Sequence, residues 1–178
     1  VFGLEESYGC LAGTYARDKD ACVAVMMLCE VASWYKAKNM TLWDAMLQMY
    51  EKYGYYKEGL ETMTLKGKDG AKQINDMMTK MRENPPKELA GLKVLAVRDY
   101  KEDTRKDLST GEVTKTGLPS SNVLYYELSN NSWCCVRPSG TEPKIKFYFG
   151  VVGENLQDGE AKLNALNRAM LEYAEGGR

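Results

Sequence analysis

The sequence predicts an α+β fold in which an antiparallel sheet is flanked by helices. Three strand-like runs, NVLYYEL, SWCCV and KIKFYFGV, follow one another with only short links between them. A Ser129-Asn130-Asn131 turn of hairpin length joins the first two. Stretches with helical periodicity precede and follow these runs. Clustered strands with helices on either side favour an antiparallel sheet, because parallel strands need long crossover connections.

The N-terminal part of the chain predicts the remnant of a different domain. The first 13 residues are punctuated by glycine and indicate the end of a strand that runs into a loop. Asp18 or Asp20 can cap a helix over residues 21–36, which is apolar on nearly every side and therefore typical of a helix buried between two layers. Only 20 residues precede it, too few to form those layers. We therefore expect a fragment that starts at Val1, with residues 1–40 as the C-terminal tail of an α/β domain.

Residues 41–178 are predicted to form the second domain. Thr41, with Asp44 three residues later, indicates the start of a helix that ends at Gly54. A later amphipathic stretch is closed by the pair Pro85-Pro86 and predicts a second helix. The remaining segments are a strand in YYKEGLETMTLKG, a strand in LKVLAVRDY, a polar surface excursion in KEDTRKDLSTGEVTKTGLPSS and a final helix in NLQDGEAKLNALNRAMLEYAEG.

Composition excludes several classes of function. The 178 residues carry a net charge of −1, so the chain as a whole is no electrostatic attractor of nucleic acid or anionic lipid. There is no histidine, and the five cysteines form no C-x-x-C pair, which disfavours a zinc site and catalysis by a Ser-His or Cys-His pair. Five cysteines without a signal peptide predict a reducing, cytoplasmic location. No apolar run approaches the roughly 20 residues of a membrane span.

The segment RPSGT, between two of the predicted strands, contains more than a turn requires. The guanidinium of Arg137 matches the geometry of a phosphate, and Ser139 and Thr141 add hydroxyl donors. Gly140 lets backbone N–H groups approach an oxyanion. On the strand that follows, Lys146 adds positive potential near the loop. These residues predict a loop that grips a phosphate; a tight turn that happens to carry an arginine is the alternative for the short motif alone.

The longer string RPSGTEPKIKFYFG resembles the phosphate-binding loop in the last domain of the α-D-phosphohexomutases, the phosphoglucomutase and phosphomannomutase family. GLEESYG resembles the sugar-binding loop in the third domain of that family, and the match carries Glu5 and Ser7 as ligands of the sugar hydroxyls. ARDKDA is similar to the segment that enters the last helix of the third domain. The resemblance makes Lys19 a possible phosphate contact; a solvated charge cluster at a helix cap is the alternative.

This resemblance implies reversible transfer of a phosphoryl group between O1 and O6 of a hexose phosphate. The transfer would use a phosphoserine and a hexose 1,6-bisphosphate, which serves as intermediate and activator. It also implies a C-terminal phosphohexomutase domain with a TATA-binding-protein-like fold, and Mg²⁺ in the full-length parent. The family's Thr/Ser-x-Ser-His-Asn-Pro phosphoserine loop and Asp-Gly-Asp-x-Asp-Arg magnesium loop do not occur in this chain. We therefore expect no catalytic residue and no metal ligand here, and an inactive fragment that depends on missing N-terminal domains.

Two other classes of function stay open at this point. The chain could be a stand-alone, non-catalytic module that binds phosphosugars, or a nucleic-acid binder that uses basic residues on one face of the sheet. The net charge near zero and the lack of an exposed aromatic series beside the basic strand disfavour nucleic acid. The expected partner is a hexose phosphate, with no membrane contact. The apolar helix over residues 21–36 predicts self-association if its parent sheet is absent.

Overall fold

The computed structural model describes residues 2–5, 9–65 and 69–176. The chain divides into two compact units, Val1–Tyr53 and Gly54–Arg178, and each is described by itself. The boundary suggested by the sequence falls after residue 40, whereas the division of the structure falls after Tyr53. The difference arises because the helix that follows Thr41 belongs to the first unit.

The first unit consists of a small hairpin and two helices. The residues predicted as a strand end and a loop form two antiparallel strands, β1 (Phe2–Leu4) and β2 (Cys10–Ala12). Helix α1 (Ala21–Lys36) is capped by Asp20, whose Oδ1 accepts hydrogen bonds from the N–H groups of Cys22 and Val23 at 2.9 and 3.2 Å. Helix α2 (Leu42–Tyr53) starts with the predicted cap.

That cap is reciprocal. Thr41 Oγ1 accepts from the Asp44 N–H at 3.1 Å, and Asp44 Oδ2 accepts from the Thr41 N–H at 2.8 Å. Each side chain thus satisfies a backbone donor that the first turn of α2 leaves unpaired.

Helix α1 keeps its apolar surface exposed, although its composition is typical of a buried helix. Within the described part of the chain it has no buried residue. Five large apolar side chains of the helix are between 43 and 62% exposed: Val25, Met26, Leu28, Val31 and Trp34. Side chains of this kind are normally covered by another layer in a folded domain.

The second unit is an antiparallel sheet with two long helices, which confirms the predicted α+β class. Its strands occur in the order β3-β10-β9-β8-β5-β6-β7, and the short β4 pairs with β5. Every pairing among the described residues is antiparallel. The elements are β3 (Tyr55–Thr64), α3 (Gly70–Glu83), β4 (Glu88–Leu89), β5 (Leu92–Asp99), β6 (Thr104–Asp107), β7 (Val113–Thr114), β8 (Leu124–Leu128), β9 (Trp133–Pro138), β10 (Lys144–Gly153) and α4 (Leu156–Ala174).

The core lies between one face of this sheet and the two helices. Ile145, Phe147 and Phe149 alternate along β10 and are fully buried. They belong to the same apolar cluster as Met78 of α3 and Met170 of α4. Burial of each such side chain contributes about 1.5–3 kcal/mol. Because successive side chains of a strand point to opposite faces, this burial leaves the other face of β10 free for polar residues.

The polar segment after β5, which was predicted as a surface excursion, forms the hairpin β6–β7 at one edge of the sheet. Asp107 closes its turn by accepting hydrogen bonds from the N–H groups of Ser109 and Thr110 and from the Ser109 hydroxyl. The Ser109 hydroxyl and then these N–H groups lower the pKa of Asp107 to about 2. Residues that are typical of a loop therefore supply the turn of a strand pair.

Two glycines at the junction of β10 and α4 have opposite steric environments and give a test of the packing. A Cβ on Gly153 would lie 2.5 Å from the backbone nitrogen of Gly159 and 2.7 Å from the carbonyl oxygen of Asn155. A Cβ on Gly159 would meet its nearest neighbour, Lys57 Cβ, at an ordinary 3.6 Å.

We therefore expect Gly153→Ala to lower the free energy of unfolding by about 1–3 kcal/mol, since backbone atoms cannot rotate away from the added methyl group. Gly159→Ala should raise it by up to about 1 kcal/mol, because alanine favours the helix. Urea unfolding of the two variants checks this pair. Equal stability of both variants would contradict the close approach of β10 and α4.

Candidate functional site

The loop between β9 and β10 is held by its own hydrogen bonds. The N–H of Ser139 donates to the carbonyl oxygen of Lys144 at 2.8 Å, and the N–H of Lys144 donates to that of Glu142 at 2.7 Å. Ser139 Oγ accepts from the N–H groups of Thr141 and Glu142 at 3.4 and 3.3 Å. The Ser139 hydroxyl therefore braces the turn from inside and keeps its own proton available for donation.

The strands on either side of this loop are positioned by tight connections. Asn130 and Asn131 adopt φ angles of 58° and 54°, in the left-handed region that asparagine tolerates, and turn β8 into β9. This confirms the predicted hairpin turn. Strand β9 then runs antiparallel to β10, with Arg137 directly opposite Lys146.

A concavity of about 300 Å³ lies beside the loop. Arg137, Ser139, Gly140, Thr141, Lys146 and Tyr148 line it, and we call these residues the cup. The structure thus brings together all the residues that the sequence assigned to phosphate binding in this part of the chain. Lys146 and Tyr148 join the loop because they share the face of β10 that points away from the buried Phe147.

The cup has two cations side by side. Residues directly opposite each other in an antiparallel pair have Cβ atoms roughly 5 Å apart. Within the described part of the chain, neither Arg137 nor Lys146 forms a salt bridge, whereas Lys144 is paired with Glu142 at 3.0 Å. Like charges that face each other destabilise a sheet, so this arrangement favours an anion placed between them.

Gly140 leaves the loop open to a ligand. Its N–H has no hydrogen-bond acceptor among the described residues. A Cβ at this position would project into open space, with no atom within 4 Å. The chain itself therefore does not require glycine here. The absence of a side chain at Gly140 leaves more room for an oxyanion to approach the N–H.

The first unit contains a separate polar site. Lys19 Nζ lies 3.8 Å from Glu5 Oε2 and 2.9 Å from Asp18 Oδ1. The hydrogen bond to Asp18, and then the charges of Asp18 and Glu5, raise the pKa of Lys19. Glu5 and Lys19 also line a common concavity of about 240 Å³. The structure thus brings together two residues that came from separate sequence motifs, while Ser7 lies outside the described residues.

Gly9 makes this approach possible, and the sequence did not single it out. A Cβ on Gly9 would lie 2.1 Å from Lys19 Cδ and 2.6 Å from Glu5 Oε1. The N–H of Glu5 donates to the carbonyl oxygen of Gly9 at 3.0 Å and closes the loop. The signal was available as the second glycine of GLEESYG, but only the fold shows which side chains occupy the missing volume.

The described residues, 2–5, 9–65 and 69–176, contain neither a set of metal ligands nor a membrane-spanning helix. No three His, Cys, Asp or Glu side chains come together as a set of metal ligands there. Every helix in this part of the chain is too short or too polar to span a bilayer.

Comparison with known proteins identifies relatives of the chain. Residues 1–53 match the family model "Phosphoglucomutase/phosphomannomutase, alpha/beta/alpha domain III". A phosphoglucomutase of Staphylococcus aureus strain bovine RF122 / ET3-1 is 41% identical over 166 residues, which cover 93% of this chain and 30% of that protein. The phosphoglucomutase of strain USA300 is 40% identical over the same length.

The chain is therefore similar to enzymes of the phosphoglucomutase/phosphomannomutase family. It is homologous to the C-terminal part of these enzymes and spans about 30% of the length of the relatives it matches. The crystal structure of parafusin, a phosphoglucomutase of Paramecium in its open form, aligns with a TM-score of 0.55 and 21% identity, over 96% of this chain and 29% of that one. This likeness confirms the fold. The match to domain III ends at residue 53, where the first compact unit also ends.

The pair of cations in the cup leads to a stability prediction. Lys146→Gln should leave stability unchanged or raise the free energy of unfolding by up to about 1 kcal/mol in low salt, because it removes a like charge opposite Arg137. The gain should shrink at high salt, which screens the repulsion.

Lys106→Gln is the matched control, since Lys106 is exposed in β6 and lies opposite Val97 and Val113. Urea unfolding of both variants at two ionic strengths measures the effect. A larger loss of stability for Lys146→Gln than for Lys106→Gln would show that Lys146 supports the fold rather than a ligand.

Proposed function

We propose that the second unit holds the phosphate of a hexose phosphate in a phosphoglucomutase or phosphomannomutase. The observation that carries this proposal is the cup, in which Arg137 and Lys146 lie side by side without an acidic partner among the described residues. The arginine fork can donate two parallel hydrogen bonds to phosphate oxygens, and the ammonium group adds a compact positive charge.

The proposed reaction moves a phosphoryl group between O1 and O6 of the hexose. A phosphoserine of the parent enzyme gives its phosphoryl group to the free hydroxyl of a hexose monophosphate, which forms the 1,6-bisphosphate. The bisphosphate then reorients in the site, and its other phosphoryl group is transferred to the serine oxygen. At each stage one phosphate does not react and must only be held in place.

The cup suits the phosphate that does not react. Such a phosphate needs positioning and charge compensation, but no proton transfer. The N–H of Gly140 and the hydroxyls of Ser139 and Thr141 can complete the set of donors around its oxygens. Binding energy gained at this end of the sugar can be expressed in the transition state at the other end.

The sugar itself is proposed to contact the first unit. Glu5 can accept hydrogen bonds from two adjacent hydroxyls, and Ser7 can donate or accept beside it. Lys19, which lies 3.8 Å from Glu5, is proposed as a phosphate contact. These roles follow from the match of the two motifs to the family.

The chemical step is assigned to parts of the parent outside this chain. Phosphoglucomutases of this family are proposed to use Mg²⁺, which would stabilise charge on the transferring phosphoryl group when bound. The described residues contain no set of ligands that fits this ion. We therefore propose that this polypeptide alone is inactive and that N-terminal domains of the parent supply the phosphoserine and the metal site. The proposed location is the cytoplasm.

The alternatives use the same unit differently. A stand-alone phosphosugar-binding module would need the cup but no catalytic partner. A nucleic-acid binder would need free cations along the sheet, yet Arg98 and Arg105 both pair with Glu127 at 2.6 Å. We therefore propose no nucleic-acid or membrane partner. Self-association through α1 is proposed for the chain when nothing else covers that helix.

Binding of glucose 6-phosphate and inorganic phosphate tests the proposed function. Arg137→Ala should lower the affinity for both ligands at least tenfold, because a hydrogen bond to a charged group contributes about 1.5–3 kcal/mol. Arg168→Ala, on the exposed surface of α4, is the control and should change neither of the two affinities. Titrations followed by NMR can measure weak affinities of this kind. If the Arg137→Ala variant binds both ligands as tightly as the wild type, the phosphate binds elsewhere.

The pH dependence of binding is a second test. A phosphate ester gains its second negative charge with a pKa of about 6, and two cations favour the dianion. The chain contains no histidine that could titrate in this range. Affinity for glucose 6-phosphate should therefore rise several-fold between pH 5 and 7 and level off above. The same dissociation constant at pH 5 and pH 7.5 would contradict binding of the dianion between Arg137 and Lys146.

A further inference from the structure

The cup extends beyond the space around its cations. Small-molecule sites in proteins start at roughly 300 Å³, and the cup has about this volume. The loop and the two cations form part of its lining. Tyr148, which follows Lys146 by two residues on the same face of β10, lines it as well.

Tyr148 differs from other tyrosines that pack in this unit. The hydroxyl of the buried Tyr126 donates to the carbonyl oxygen of Met81 at 3.3 Å, and that of Tyr173 donates to Asn84 at 2.6 Å. Tyr148 is half-buried, and its hydroxyl has no hydrogen-bond partner within the described part of the chain. The hydroxyl is therefore free to donate a hydrogen bond to a ligand in the cup or to accept one from it.

The surroundings of Tyr148 are also less charged than those of Lys146. Its neighbours across the two adjacent strands are Cys135 of β9 and Leu60 of β3. The neighbours of the cup residues therefore change along β10: Lys146 lies opposite Arg137, whereas Tyr148 lies between two uncharged side chains. Alternate residues of a strand are roughly 7 Å apart, a distance that a hexose phosphate spans from its phosphate to its ring.

We propose that Tyr148 is a specificity-determining residue that contacts the sugar of a hexose phosphate whose phosphate is bound by Arg137 and Lys146. The phenol hydroxyl exchanges a hydrogen bond with a sugar hydroxyl, and the ring covers the C–H surface of the sugar. Tyr148 thus makes the cup prefer a hexose phosphate to inorganic phosphate. This inference rests on the proposed function and adds a contact to the substrate that the phosphate loop does not provide.

The test compares glucose 6-phosphate with inorganic phosphate in NMR titrations of the whole chain. Tyr148→Phe should raise the dissociation constant of glucose 6-phosphate about threefold to tenfold, which corresponds to the loss of one hydrogen bond. The dissociation constant of inorganic phosphate should change less than twofold. Tyr148→Ala should increase the loss for glucose 6-phosphate further, because the ring surface is removed as well.

Tyr56→Phe is the matched control. Tyr56 is exposed on the same face of the sheet, four residues from Leu60 along β3 and therefore about 13 Å away. It should change neither affinity. Amide spectra of all variants show whether the fold is retained.

Three outcomes would overturn the inference. If Tyr148→Phe lowers the affinity for both ligands equally, Tyr148 contacts the phosphate and not the sugar. If it lowers neither affinity, Tyr148 does not contact the ligand. Both of these results leave the proposed function intact if Arg137→Ala weakens binding of both ligands at least tenfold. Absence of any binding to the wild-type chain would contradict the proposed function and the inference together.

Discussion

The pairing of β9 with β10 is the constraint on which the candidate site depends. Strand β10 lies between β3 and β9 and has paired neighbours along its length. Its odd-numbered residues from Ile145 to Phe149 are fully buried, and this fixes the register, since a shift by one residue would turn lysines into the core. The same register places Lys146 opposite Arg137. Packing of the core therefore determines the position of two charges that contribute nothing to the core.

This arrangement separates the requirements of the fold from those of the ligand. The buried face stabilises the sheet, whereas the cations on the other face repel each other and weaken it slightly. Residues that serve binding are often unfavourable for stability. Lys144 shows the contrast, because it lies on the same face as Lys146 but is neutralised by Glu142 at 3.0 Å. One lysine thus supports the loop, and the next is left for an anion.

Local patterns in the sequence were sufficient for most of the fold and for the position of the loop between β9 and β10. The alternation in KIKFYFGV predicted which residues of β10 face the core, and the string RPSGT predicted the loop that the structure places beside Arg137 and Lys146. Features that depend on pairing were missed. The β6–β7 hairpin is formed by residues with loop character, and the position of Tyr148 beside Cys135 and Leu60 follows only from the strand pairing. Such contacts join distant parts of the chain, so no short window contains them.

The two units differ in what supports their polar sites. All fully or nearly buried apolar side chains among the described residues belong to the second unit, from Ile74 to Ala174. The cup is therefore built on a sheet with its own core. The site at Glu5 and Lys19 belongs to a unit whose helices bury no residue in the described part of the chain. Since geometry at a binding site is held by the packing beneath it, the cup is better supported in this chain than the site at Glu5 and Lys19.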